Sequence, residues 1–323
     1  LKEEIFQDCL KYYKESDGHT KFWPDLSEKW GYPPGDKLRD DFKRERRRRG
    51  IPSRNDLQTA CENTSKTQQK DIPKILLFDT ENSAILGFVW GLYDQNLSYD
   101  RVVEDWHSLC WSAKWLFNPE IMFDVLTPRE AKNHDDKRIT ESMWNLINQA
   151  DILVAHNALG FDIKKLNTRF VKHGFTPPKP YQVIDTLVQA RSNFAFTSNK
   201  LDDLCAFFGF PQKIDTNFNL WKRCFYGESD ALTEMSEYNK NDSVILEEIY
   251  LKLRPFIKGH PNYNLWNVEN ISVCPNCGGE IEFGGDYYTL LNRYDAWKCK
   301  ECGAVGRSKK SNLDKEKSKL IVR

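Results

Sequence analysis

Apolar positions along the chain fall into three differently patterned regions. Residues 74–78, 85–93 and 108–116 are dominated by β-branched, aromatic and aliphatic side chains, with breaks at Asn82-Ser83, Asn96 and Asn118-Pro119. They read as consecutive strands, antiparallel because their connections are short. Shorter apolar runs at 152–155 and 182–184 read as further strands. These alternate with stretches of helical character at 161–172 (stopped by Gly174), at 198–209 (capped by Ser198 or Asn199, ended by Gly209) and at about 230–253. Such alternation predicts an α/β domain over residues 73–258, a mixed sheet flanked by helices. The wide aromatic content here, including Trp90, Trp106, Trp111, Trp115 and Phe117, is expected in the core.

Upstream the pattern is helical throughout. An amphipathic stretch at 4–14 precedes a short helix at 24–31, the tight turn Tyr32-Pro-Pro-Gly35 and a longer helix from Asp36 to its stop at Gly50. Leu38 and Phe42 give that last helix one apolar face. Residues 1–53 therefore read as a small all-α, helix-turn-helix domain. Residues 54–72 are polar and read as a flexible linker. Downstream, short strands are expected at 281–283, 287–291 and 296–298, and the Lys- and Ser-rich tail 307–323 is expected to be disordered.

Candidate chemistry enters where the first strand ends. In Ile75-Leu-Leu-Phe-Asp-Thr-Glu81 an apolar run delivers Asp79 and Glu81 to the same face, because residues two apart on a strand project alike. Two carboxylates at one point suit a hard divalent cation, which takes oxygen ligands. In Asp151-Ile-Leu-Val-Ala-His-Asn-Ala-Leu-Gly-Phe-Asp162 a strand and a turn lead into a helix whose first turn carries Asp162. Asp162 alone reads equally as a helix cap or dipole partner. In Tyr238-Asn-Lys-Asn-Asp242 the phenol and the carboxylate share one helical face, which alone reads as a solvated surface.

Together, strand-D-x-E, then H-N-x3-F-D, then Y-x3-D resemble the DEDD exonucleases of the ribonuclease-H-like, DnaQ-like superfamily. The Tyr places the resemblance with the tyrosine subtype, which includes proofreading domains of DNA polymerases, and the second motif looks closest to the family B version. The likeness covers residues 73–258, a little over half the chain. It implies a metal-dependent 3′–5′ exonuclease using two Mg²⁺ or Mn²⁺ ions and releasing nucleoside 5′-monophosphates. It implies that Asp79, Glu81 and Asp242 hold the cation that activates water, with Asp79 bridging to a second that Asp162 reaches directly or through water. Tyr238 would orient the water. Asp185, also strand-terminal, reads as structural or at most a neighbour of the substrate.

Cys274-Pro-Asn-Cys277 and Cys299-Lys-Glu-Cys302 form C-x2-C-x21-C-x2-C, and Gly278-Gly279 and Gly303 follow the two pairs. That spacing suits a closed tetrahedral Zn²⁺ site, structural because four thiolates leave no open position. With the expected short strands, residues 270–306 resemble a zinc ribbon, a module that binds nucleic acid or protein. In the upstream helix, Lys37, Arg39, Lys43, Arg44 and Arg46, Arg47, Arg48 and Arg49 make a basic face suited to phosphates or groove edges, or simply a solvated one.

The chain is formally neutral but unevenly so: residues 1–72 carry +2, 73–257 carry −5 and 258–323 carry +3. An acidic centre with basic flanks fits metal loading in the middle and phosphate attraction at the ends. Outside the two C-x2-C pairs, Cys9, Cys61, Cys110, Cys205 and Cys224 lack framework spacing. With no leader-like segment and no apolar run near eighteen residues, the expectation is a reduced cytoplasmic protein without a membrane partner. The three-module layout looks like bacteriophage-encoded members of the superfamily. DNA is the expected partner; RNA at the same site, and a silent nuclease fold serving as a DNA-binding regulator, are the competing readings.

Overall fold

The computed structural model describes residues 1–15, 22–49, 72–210, 214, 216–267 and 271–322. Gly50, the expected stop of the basic helix, and residues 54–71 of the expected linker lie outside the described residues, as does the side chain of Arg47. Contacts divide the chain into two compact units, Leu1–Lys70 and Asp71–Arg323.

In the first unit, α1 (Glu3–Glu15), α2 (Phe22–Lys29) and α3 (Lys37–Arg48) enclose Phe6, Cys9, Trp23, Leu26, Leu38 and Phe42. Phe42 centres this core, its ring 5.4 Å from those of Phe6 and Tyr13 and 5.5 Å from Trp23. Two residues expected on the outer basic face lie over aromatic rings, Arg46 buried and Arg49 exposed. Arg46 is buried with its guanidinium 5.8 Å over Tyr13, and Arg49 lies 4.1 Å over Phe6 while donating to Glu45 and Glu3. The aromatic rings and carboxylates of this small core capture them. Arg39, Lys43, Arg44 and Arg48 each sit near an acid one turn back on α3, pairings that hold surface side chains only weakly. Arg44 and Arg48 remain 82% and 76% exposed.

The second unit is an α/β fold around a mixed five-stranded sheet. Its strands are β1 (Ile75–Asn82), β4 (Ser108–Trp115), β5 (Met122–Val125), β6 (Ile152–Ala155) and β7 (Gln182–Asp185), in the order β5-β4-β1-β6-β7. β4 pairs antiparallel with β1 and β5, whereas β6 runs parallel to β1 and β7 parallel to β6. β1 is central and buried on both faces, which explains its unbroken apolar run. Ile75 and Leu77 pack with Val154, Leu246 and Tyr250, whereas Leu76 and Phe78 pack with Leu153, Leu166 and Phe170.

The helices that flank the sheet are α4 (Pro128–Lys132), α5 (Lys137–Ile147), α6 (Asp162–Lys172), α7 (Thr186–Asn193), α8 (Leu201–Phe208), α9 (Phe218–Phe225) and α10 (Ser229–Leu253). The expected helices at 161–172, 198–209 and 230–253 thus appear within three residues of their bounds. Gly209 closes α8 in the left-handed conformation, φ +71°, that a glycine adopts at low cost. Among the described residues, no helix is long and apolar enough to cross a membrane.

The run at 85–93 departs from expectation. Only β2 (Leu86–Gly87) is a strand, and it pairs with β3 (Val102–Glu104) in a separate two-stranded ribbon. Both edges of β1 are already taken by β4 and β6, so this segment cannot pair beside it. Trp90, Leu92 and Tyr93 are consequently 84–91% exposed, and Phe117 is exposed too, against the expectation of core.

The C-terminal strands are longer than the short runs expected: β8 (Ile281–Tyr288), β9 (Arg293–Cys299) and β10 (Val305–Ser311) form an antiparallel sheet. β10 and a helix, α11 (Lys315–Lys319), also occupy much of the segment expected to be a disordered tail. Backbone pairing with β9, rather than apolar content, orders residues 305–311.

One buried charge cluster ties α6 to the sheet. The fully buried Asp136 carboxylate accepts from the Ser108 amide at the start of β4 (2.8 Å), from Arg169 of α6 and from His173 (2.7 Å). Burial pushes its pKa up, but the Arg169, Ser108 and His173 hydrogen bonds outweigh that and hold it below the usual 3.8. A depressed folded-state value means the stabilisation is complete above the unfolded value and is lost as pH falls through the folded one. Asp136→Ala would strand Arg169 as a buried unpaired cation. The expected cost is about 3–5 kcal/mol in urea unfolding at neutral pH, with the difference from wild type shrinking below pH 4.

Candidate active site

The geometry begins with α10 and its seat on the sheet. Asn239, Ser243 and Glu247 stand four residues apart, on one stripe of the helix. The Ser112 hydroxyl of β4 donates to the Asn239 carbonyl (2.7 Å) and bonds the Ser243 hydroxyl (2.6 Å). Lys114, two residues on and facing the same way, pairs with Glu247, which also accepts from the Phe117 amide at 2.8 Å. Ser112 lies opposite Asp79 in the β1–β4 register, so the stripe that grips β4 also fixes α10 over the end of β1.

Asp242 is thereby brought to Asp79 and Glu81. One carboxylate oxygen from each lies within 4.8 Å of the others, with Asp242 buried and the other two half-buried. Oxygens about 2.0–2.1 Å from one Mg²⁺ lie at most about 4.2 Å apart. The trio is therefore near ligand spacing for one hard cation, and its all-oxygen donor set suits one. The Asn239 amide donates to Asp79 Oδ2 at 2.6 Å and orients that carboxylate. Tyr238 sits one residue away on the helix, half-buried, with its ring 6.0 Å edge-on from Trp221 of α9.

Asp162 is not part of the trio. Its Oδ1 accepts from the Thr80 hydroxyl at 2.8 Å, and Thr80 leaves β1 on the face opposite Asp79 and Glu81. Burial drives its pKa up to about 7, against the pull of the Thr80 hydrogen bond. The turn before it is held by Asp185, whose carboxylate accepts from the amides of Asn157, Leu159 and Leu187 (each 3.0 Å) and of Val188 (3.3 Å). Asp185 thus caps α7 and clamps the Asn157–Gly160 turn at once, the structural role read from the sequence. Thr80 and Asn239 went unread there. A signal existed for Asn239: a polar residue of low helix propensity in the interior of a long helix.

The four cysteines also converge. Cys274 Sγ and Cys302 Sγ are 3.7 Å apart, Cys277 Sγ and Cys299 Sγ 3.6 Å, and all four sulfurs lie within 4.8 Å of one another. Sulfurs about 2.3 Å from a tetrahedral Zn²⁺ stand about 3.8 Å apart, so this cluster can hold zinc. Gly278 and Gly303 follow the pairs at φ +77° and +79°, where a side chain would strain the knuckle. Between the first two cysteines, the buried Asn276 amide donates to the carbonyls of Arg254 (2.8 Å) and Ile257 (3.1 Å), just beyond α10. The knuckle is thereby hooked to the α/β core.

The mixed five-stranded sheet flanked by helices is consistent with a ribonuclease H-like fold, and residues 120–254 match a family model described as the RNase H superfamily. That span contains Asp162, Tyr238 and Asp242 but begins after β1. Over 256 residues the chain is 25% identical to a PolC-type DNA polymerase III of Ureaplasma parvum serovar 3, covering 67% of this chain and 17% of that protein. It is also similar to the family B DNA polymerase of the hyperthermophilic archaeon Pyrobaculum calidifontis, at 15% identity and a TM-score of 0.42. That likeness covers 57% of this chain and 25% of that one.

Two outcomes check the site. Asn239→Ala is expected to weaken Mn²⁺ binding about 10–100-fold, the usual effect of removing a partner that orients a ligand. The electron paramagnetic resonance signal of free Mn²⁺ reads it directly. Purified protein should carry one zinc by elemental analysis, and Cys277→Ser should carry none.

Proposed function

We propose that this chain is a metal-dependent 3′–5′ exonuclease acting on DNA, at single-stranded 3′ ends. The observation that carries the reading is the Asp79–Glu81–Asp242 cluster at the exit of the central strand, with Tyr238 beside it. The ribonuclease H superfamily match and the likeness to a DNA polymerase support it coarsely.

Two divalent cations, when bound, stabilise the attacking and leaving oxygens of an in-line displacement at phosphorus. Asp79, Glu81 and Asp242 supply the negative charge that holds them, and Asn239 keeps the Asp79 carboxylate in its ligating rotamer. Asp162 contributes through water from its place on Thr80, and it must shed the proton that burial favours. Tyr238 orients the attacking water with its hydroxyl and does not take its proton, since a phenol titrates near 10. In-line attack at the terminal phosphodiester gives a nucleoside 5′-monophosphate and a chain one residue shorter.

The flanking modules would deliver nucleic acid. In the N-terminal unit Lys37, Lys43, Arg44 and Arg48 are exposed and suited to phosphate contacts, whereas Arg46 is buried and Arg49 is engaged by Phe6, Glu45 and Glu3. Charge reversal at Arg44 and Arg48 should weaken DNA binding and flatten its salt dependence.

The deciding experiment is digestion of a 5′-labelled single-stranded DNA oligonucleotide with Mg²⁺ or Mn²⁺, beside its RNA counterpart. The expected result is a ladder shortening from the 3′ end. Asp79→Ala should lower the rate by about 10³-fold or more, the scale of several kcal/mol of charge stabilisation. Tyr238→Phe should lose less than about 10²-fold, because water can still be held. Equal loss in the two variants would refute the assigned role of Tyr238. Cleavage of RNA alone would transfer the reading to an exoribonuclease, and no cleavage of either would leave a DNA-binding regulator.

A further inference from the structure

Beyond α10 the chain turns through a short 3-10 segment, Arg254–Phe256, and passes under the C-terminal sheet. Between them runs a groove of about 840 Å³ lined by Phe256 and Lys258 on one wall and by Tyr287, Lys298 and Arg307 on the other. The lining brings together two kinds of group that seldom share a surface without a ligand. Phe256 and Tyr287 are 58% and 48% exposed, large apolar rings left in water. The Arg307 guanidinium lies 3.8 Å over the Tyr294 ring and 5.8 Å from that of Tyr287, and among the described residues it makes no ion pair with a carboxylate. Lys258, Lys298 and Arg307 line the groove against the single carboxylate of Glu282.

The trough is built into the fold. On the face of the sheet away from Tyr287, Lys298 and Arg307, Trp297 packs on Gly306, where a Cβ would come within 2.3 Å of the indole, and so holds β9 to β10. On the opposite side the Asn276 bonds to the Arg254 and Ile257 carbonyls fix the sheet to the end of α10. Both walls therefore belong to one compact unit.

We propose that this groove is a track for single-stranded polynucleotide, with bases stacking on Tyr287 and Phe256 and phosphates meeting Lys258, Lys298 and Arg307. Flat rings beside a positive groove are the means by which proteins hold single strands irrespective of sequence. A base-paired duplex hides the base faces that such rings need. The groove lies about 20 Å along the helix axis from Asp242, a span of about six nucleotides of stacked strand. The track would hold the body of a strand whose end lies at the acid cluster. It rests on the reading that this chain acts on nucleic acid, but it is tested without turnover.

The test uses the full chain without added Mg²⁺ or Mn²⁺ and fluorescein-labelled dT12 and rU12, read by anisotropy. Tyr287→Ala should weaken binding about tenfold or more, the effect of losing one stacking platform. Tyr287→Phe should bind within about twofold of wild type, because the ring and not the hydroxyl is used. Arg307→Gln should weaken binding and reduce the log–log salt slope by about 0.7, one phosphate contact on a single strand. Unchanged affinity in variants that keep their zinc overturns the proposal, as does competition by a 12-base-pair duplex equal to that of dT12. Photocrosslinking of the wild-type chain to 5-iodouracil dT12 covers the case in which a variant loses its zinc. Adducts on peptides containing Phe256 or Tyr287 are expected, and adducts confined to residues 1–49 overturn the track. Binding through Tyr287 and Arg307 in a protein that shortens no polynucleotide would sink the exonuclease reading and leave the track standing.

Discussion

The polar stripe of α10 against β4 is the constraint on which the rest of the α/β unit depends. Apolar contacts such as Leu246 and Tyr250 against Leu77 hold the helix on the sheet, but they tolerate sliding. Hydrogen bonds do not, because their energy falls away within a few tenths of an ångström and with misdirection. Ser112 on Asn239 and Ser243, with Lys114 on Glu247, admits one axial position and one rotation of the helix. That position puts Asp242 beside Asp79 and Glu81. The pair of Lys114 and Glu247 is buried, so its value lies in fixing register more than in net stability.

The three acids differ from Asp162 in how they are held. Asp79 is oriented by a neutral amide and stays half-buried, open to a cation. Asp162 is enclosed and bonded to Thr80, and burial pushes its pKa up to about 7. Four carboxylates are thus held in unlike ways about the end of one strand. The Asp185 clamp on the Asn157–Gly160 turn governs the place of Asp162, since it sets where α6 begins.

Much of this was legible in the sequence, for reasons that also mark where legibility stopped. β1, β6 and the long α10 declare themselves because burial on one or both faces dictates their residues over many positions. The i, i+4 spacing of Tyr238 and Asp242 and the C-x2-C pairs are local geometry, fixed by the chain itself. The segment 85–93 misled because an apolar run reports propensity and not vacancy: it cannot say that both edges of β1 are taken. Arg46 misled because charge suggests solvent, while Tyr13, under its guanidinium, lies on another helix that only folding brings near. Asn239, Thr80 and Asn276 act through partners 160, 82 and about 20 residues away, beyond the range of any local pattern.

The Asn276 hook has a thermodynamic consequence. A metal held by the four sulfurs favours every conformation in which the first knuckle is formed, and the hook makes that set coincide with an intact end of α10. Free energy from metal binding would therefore be shared with the helix that carries Asp242, although that carboxylate lies at the middle of the helix and the sulfurs beyond its C-terminal end. Zinc bound by the four sulfurs would, by mass action, also favour the helix that carries Asp242, so the cysteine cluster and the acidic cluster are not thermodynamically independent.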